Sequence, residues 1–130
     1  MNTKYLMAAS SICLAAAGLV CSFAPREIMI YAGLAEAELV QMIIQILGAL
    51  YLGFALLNWM AKGNLIGGIY SKPVSIGNFF HFLTGGLALA KYFSKHPADS
   101  ILLVPTIIYL IFAIAFGLVS FGGHQLKKQA

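Results

Sequence analysis

The chain has 130 residues, is 61% hydrophobic and only 9% charged, and has a mean hydropathy of +0.89. Water-soluble domains carry about 25% charged residues, so this chain has too few polar groups to cover a water-facing surface, and an ordinary soluble fold is excluded. Its net charge of +4 comes from single cations at the edges of apolar runs, with no basic cluster interleaved with aromatics, which excludes nucleic acid as a partner.

Four apolar stretches follow in chain order, each near the roughly 20 residues that a bilayer crossing needs. They run over 5–23, 39–61, 74–93 and 101–121, and the only charge among them is Lys91, at the end of the third. The first stretch has a second reading as a secretory signal, with Lys4 as basic flank and Ala15-Ala16-Ala17 as cleavage site. Cleavage after Ala17 would remove barely half of the apolar run, and neither Cys13 nor Cys21 follows the small residue that lipid attachment needs. The uncleaved reading is therefore preferred. The two cysteines stand eight residues apart, about 12 Å along a helix, which is beyond disulfide reach.

Pro25 ends the first helix, and Arg26 to Tyr31 then mixes charge with apolar bulk, as either an interfacial helix or a plain loop. The second stretch places Gln41, Gln45, Gly48 and Ala55 in one sector, flanked by Tyr51 and Asn58. A glycine-bearing link over 62–73 lacks the spacing of a phosphate-binding loop. The third stretch is the least apolar, interrupted by Asn78, His81, Thr84, Gly85 and Gly86. Asp99 or Ser100 is the expected cap of the fourth, with Pro105 tolerated in its early turns. The fourth carries Thr106, Tyr109, Ala113, Gly117 and Ser120 along one side.

Helices in lipid associate through close packing and interhelical hydrogen bonds, so small and polar residues mark their contact faces. Ala8, Ser11, Ala15, Gly18 and Ser22 recur at steps of three and four on the first helix and form a packing stripe. If the second and third helices run antiparallel, counting inward at about 1.5 Å per residue brings Tyr51, Asn58, Asn78, His81 and Thr84 to neighbouring depths, and Gln41 and Gln45 toward Lys91. His81 is the candidate functional residue of this polar cluster, because an ionisable side chain inside a span is rarely idle. The alternative is a neutral imidazole bridging two helices. His96 and His124 fall on opposite faces in this topology and cannot join it in one site.

Orientation follows from Lys and Arg counts. Lys4, Lys62, Lys72, Lys127 and Lys128 share one face, against Arg26, Lys91 and Lys95 on the other, where all four acids also lie. Both termini are therefore expected in the cytoplasm. The same scarcity of charge removes whole classes of chemistry. A proton-coupled exporter needs a membrane-embedded carboxylate, a thiol–disulfide enzyme needs a paired cysteine motif, and a di-iron site needs clustered histidines; none is present. No Ser-His-Asp or Cys-His set can be placed at one depth. No catalytic, metal-binding or cofactor-binding residue is assigned, and the chain is read as not an enzyme.

The run Gln45 to Ala55, closing on Asn58-Trp59-Met60-Ala61-Lys62, resembles small bacterial four-helix inner-membrane proteins of the DoxX-like type. The resemblance implies a bacterial inner-membrane location and supplies no site residues. The expected fold is an all-α integral membrane four-helix bundle, residues 1–130 forming one membrane domain. Its expected role is an accessory or scaffold subunit acting through helix–helix contacts, with the lipid bilayer and other membrane proteins or a second copy of itself as partners. The alternative is a small-molecule or lipid binder, or transport component, with a polar cavity around His81.

Overall fold

The structure is a computed structural model that describes residues 3–64, 66 and 68–122. Every regular element among the described residues is helical: α1 (Thr3–Phe23), α2 (Pro25–Tyr31), α3 (Glu38–Ala61), α4 (Lys72–Lys95), a 3₁₀ turn (Ser100–Leu102) and α5 (Leu103–Phe121). His124, Lys127 and Lys128, which enter the sequence-based orientation, lie outside the described residues.

Among the described residues, three segments are long and apolar enough to cross a membrane: Thr3–Phe23, Glu38–Ala61 and Ser100–Phe121. The second spans 24 residues, or about 36 Å at 1.5 Å per residue, against a hydrocarbon core of about 30 Å. The chain is thus an all-helical protein with the features of an integral membrane protein. Helix α4 matches α3 in length, at 24 residues. Asn78, His81, Thr84 and its glycines hold its apolarity below that of the other three.

The chain divides into two compact units, one from Lys4 to Gly63 and one from Asn64 onward. In the first, Pro25 disfavours helical backbone at Ala24, so α1 stops at Phe23 and Pro25 becomes the first residue of α2. The charged, apolar segment after Pro25 is therefore a short helix. It ends at Gly33, whose φ of +67° is a left-handed conformation. The Gly33 N–H donates to Ile30 O (3.1 Å) and the Leu34 N–H to Met29 O (2.9 Å). This pair of bonds is a Schellman motif, and glycine fits it because a Cβ is strained there.

Helices α1 and α3 pack antiparallel. Ser11 Oγ donates to Ala55 O at 2.6 Å, and further along the seam Gly18 abuts Leu52 while Gly48 abuts Ser22. Ser11 and Gly18 of the small-residue stripe are buried on α1, whereas Ala8, Ala15 and Ser22 are half-buried. The buried ridge of α1 is Thr3, Met7, Ser10, Ser11, Leu14 and Gly18, turned slightly from the stripe because Met7 and Leu14 fill space that small residues cannot.

In the second unit α4 and α5 form an antiparallel hairpin. Phe79 reaches Phe121 near one end (5.3 Å between ring centroids) and Tyr109 lies over Gly85 toward the other. Pro73 in the first turn starts α4, and Pro97 follows its C-cap His96. The expected capping of the fourth helix by Asp99 or Ser100 does not occur. A 3₁₀ turn intervenes, Leu102 stands at the cap without a side-chain hydrogen bond, and the Asp99 carboxylate instead accepts from Tyr92 Oη at 3.3 Å.

Candidate functional site

The buried polar side chains include Ser10, Ser11, Asn58, Ser75, Asn78, Thr106 and Ser120, whereas large apolar side chains cover the outside. On α5 the exposed residues Val104, Ile107, Ile111, Ile114 and Leu118 recur at steps of three and four, with Ile114 65% exposed. This polarity is inverted relative to a protein in water and is what hydrocarbon requires. Many of the polar groups are satisfied by their own helix. Thr106 Oγ1 donates to Leu102 O (2.6 Å), Thr84 Oγ1 to Phe80 O (2.7 Å), Asn78 Nδ2 to Val74 O (2.9 Å) and Ser75 Oγ to Lys72 O (3.0 Å). Such back-bonding conceals a hydroxyl or amide from lipid without a second helix.

The five residues of the sequence-derived polar cluster divide between the two units, with Tyr51 and Asn58 on α3 and Asn78, His81 and Thr84 on α4. Asn58 is 0% exposed and its Nδ2 donates to Ser10 Oγ at 3.0 Å, while Ser10 donates to Met7 O at 3.0 Å. This chain of bonds ties α3 to α1. Tyr51 is half-buried, and Thr84 is exposed. Of α3's polar sector, Gly48, Ala55 and Asn58 are buried, Gln41 is half-buried and Gln45 exposed.

His81 is half-buried, with Nε2 at 3.4 Å from Tyr109 Oη. Either group donates, according to the imidazole tautomer. The ring also lies edge-on to Phe82 at 5.0 Å. Phe82 in turn stacks on Phe116 (5.7 Å, 8°) and meets Phe112 (4.8 Å) and Tyr109 (5.2 Å). Glycines make room for these rings. A Cβ at Gly85 would lie 2.6 Å from Tyr109 Cε1, and one at Gly117 3.1 Å from Phe79 Cε2.

Ser10, which bonds Asn58, and Tyr109, which meets His81, are contacts that the sequence reading did not name. Both carried a usable signal: Ser10 adjoins the stripe residue Ser11, and Tyr109 is the only ionisable group in the last span. The His81–Tyr109 contact is long for a hydrogen bond. Loss of this contact in Tyr109→Phe is expected to lower stability in detergent by about 0.6–1.7 kcal/mol, as read from the thermal midpoint of the purified protein. A drop well beyond that range would show that the phenol serves more than this contact.

Among the described residues no group of three or more His, Cys, Asp or Glu is placed to hold a metal ion. A different polar feature stands at the α2–α3 junction, where Arg26 donates from Nε (3.2 Å) and Nη2 (3.0 Å) to Glu36 Oε1. The pair borders an open cleft of about 540 Å³ lined also by Met29, Ala37, Glu38 and Gln41. At the other end of α3, Lys62 Nζ sits over the Trp59 ring, 2.8 Å from its centroid. Trp and Lys at a helix end are the anchors of a membrane–water interface. No family model matches the chain, and no curated protein or solved structure shows significant similarity to it.

Proposed function

We propose that the chain is a four-span membrane bundle of the DoxX-like type in a bacterial inner membrane, with both termini cytoplasmic, serving as an accessory or scaffold subunit through helix–helix contacts. The observation that carries this reading is the inverted polarity. Buried hydroxyls and amides at Ser11, Asn58 and Thr106 bond to neighbouring helices or to their own, while the Ile/Leu stripe of α5 faces outward, available to lipid or to another membrane helix. In this reading His81 orders the α4–α5 hairpin and carries no chemistry, and the chain is not an enzyme. Crossing by α4 is supported by its 24-residue length, its antiparallel pairing with α5, and Lys72 and Lys95 at its two ends.

Topology is tested with single cysteines placed in a Cys13→Ser, Cys21→Ser background in whole cells. Ala35→Cys and Ala98→Cys should react with an impermeant maleimide from outside, and Asn64→Cys only after permeabilisation. Ala98→Cys reacting only after permeabilisation would remove α4 from the membrane. The subunit role is tested by purification in mild detergent with mass spectrometry of what co-purifies. A stoichiometric companion or a stable homo-oligomer is expected; recovery of a lone monomer would contradict the role.

A further inference from the structure

The cleft between α2 and the start of α3 holds a charge pattern that neither the packing of the bundle nor the proposed role explains. Its base is Met29, which is buried. On its border Arg26 directs two N–H groups at a single oxygen of Glu36. A guanidinium has five N–H donors, so three remain, and Glu36 Oε2 is likewise uncommitted. Also lining the cleft, Glu38 in the first turn of α3 has no ion-pair or hydrogen-bond partner among the described residues, and neither does the side chain of Gln41. One cation and two carboxylates therefore border a volume inside the range of about 300–1,000 Å³ typical of ligand sites.

This arrangement complements a small zwitterion. A phosphate would meet the spare guanidinium donors as a charge-assisted pair, and an ammonium would meet Glu38, Glu36 and the Gln41 amide oxygen. No aromatic residue lines the cleft, so it lacks the cage that a quaternary ammonium needs, and a primary ammonium with N–H donors fits better. Position decides the source. α2 begins two residues after α1 ends, which sets the cleft at the membrane–water boundary of the α1–α3 hairpin. Ile30, Leu34 and Leu39, within two residues in sequence of its lining residues, are exposed apolar side chains that acyl chains could cover.

We propose that this cleft is a headgroup site for an aminophospholipid of the phosphatidylethanolamine type, with Arg26 on the phosphate and Glu38 and Glu36 on the ammonium. The proposal rests on membrane insertion and not on the scaffold role, so absence of a protein partner leaves it standing.

The test is native mass spectrometry of the full chain, released from vesicles of equal phosphatidylethanolamine, phosphatidylcholine and phosphatidylglycerol. The wild-type chain should retain phosphatidylethanolamine roughly five-fold over either of the others, the scale of one ion pair at an exposed site. Glu38→Gln should remove the preference over phosphatidylcholine and Arg26→Gln should weaken retention of phosphatidylethanolamine, while Glu27→Gln, on α2 but outside the cleft, should change neither. Equal retention of the three lipids by the wild-type chain overturns the proposal without reliance on any variant, as does a preference that survives both cleft substitutions. Binding of free phosphoethanolamine by a chain that retains no phosphatidylethanolamine from the vesicles would assign the cleft to a soluble zwitterion and overturn the lipid assignment.

Discussion

Gly48→Leu is expected to separate α1 from α3 and to leave little folded protein after detergent extraction. A Cβ at Gly48 would lie 2.7 Å from the Ser22 amide nitrogen and 3.0 Å from the Cys21 carbonyl carbon. On the facing helix, a Cβ at Gly18 would lie 2.9 Å from the Leu52 amide nitrogen and 3.0 Å from Gly48 O. These are backbone atoms of a partner helix, so a changed rotamer cannot relieve the overlap and the helices must move apart. Overpacking a core commonly costs about 1–3 kcal/mol. Here the cost should lie at or above the top of that range, because separation also breaks the Ser11–Ala55 and Asn58–Ser10 bonds. Gly53 provides the control on the same helix, since a Cβ there meets nothing within 4 Å. Gly53→Leu should leave the monodisperse peak in size-exclusion chromatography unchanged, whereas Gly48→Leu should abolish it.

The second large effect is expected at Phe82, which is 0% exposed and touches the rings of Tyr109, Phe112 and Phe116. Phe→Ala in a water-soluble core costs about 3–5 kcal/mol, partly through transfer from water and partly through the cavity left behind. In lipid the transfer share largely vanishes, because the surroundings are as apolar as the side chain. The packing and cavity share remains. Phe82→Ala should therefore lower stability by about 2–3 kcal/mol, measured by unfolding in mixed micelles. Phe80→Ala, on an exposed neighbour of the same helix, should change it by under about 0.5 kcal/mol. Equal losses at the two positions would show that the hairpin is held by bulk apolarity and not by this ring stack.

Much of the architecture was legible from apolar runs alone, because hydrocarbon imposes one demand at every residue of a crossing. The stretches 5–23, 39–61 and 101–121 coincide with helices able to span, and 74–93 lies within α4. Contact partners were less legible. Counting residues gives depth but not direction around the helix axis, so it placed Asn58 at a level without revealing that it turns to Ser10 on α1. His81 likewise meets Tyr109, on the other helix of the α4–α5 hairpin. The stripe on α1 identified a contact face but missed Met7 and Leu14, since small residues show where backbones approach and not which large side chains flank them. Local chemistry at helix ends was least legible. Asp99 has the composition of a cap and bonds Tyr92 instead, and the Arg26–Glu36 pair joins residues ten apart through the turn at Gly33.

The most direct measurement of the central claim, that the apolar outer faces lie in hydrocarbon, is a cysteine scan along the exposed stripe of α5. Ile107→Cys, Ile111→Cys, Ile114→Cys and Leu118→Cys, each in the Cys13→Ser, Cys21→Ser background, would be exposed to a charged maleimide in permeabilised membranes. The inverted polarity predicts no reaction at these four positions and full reaction at Asp99→Cys. Reaction along the whole stripe at the rate of Asp99→Cys would place α5 in water and contradict the account.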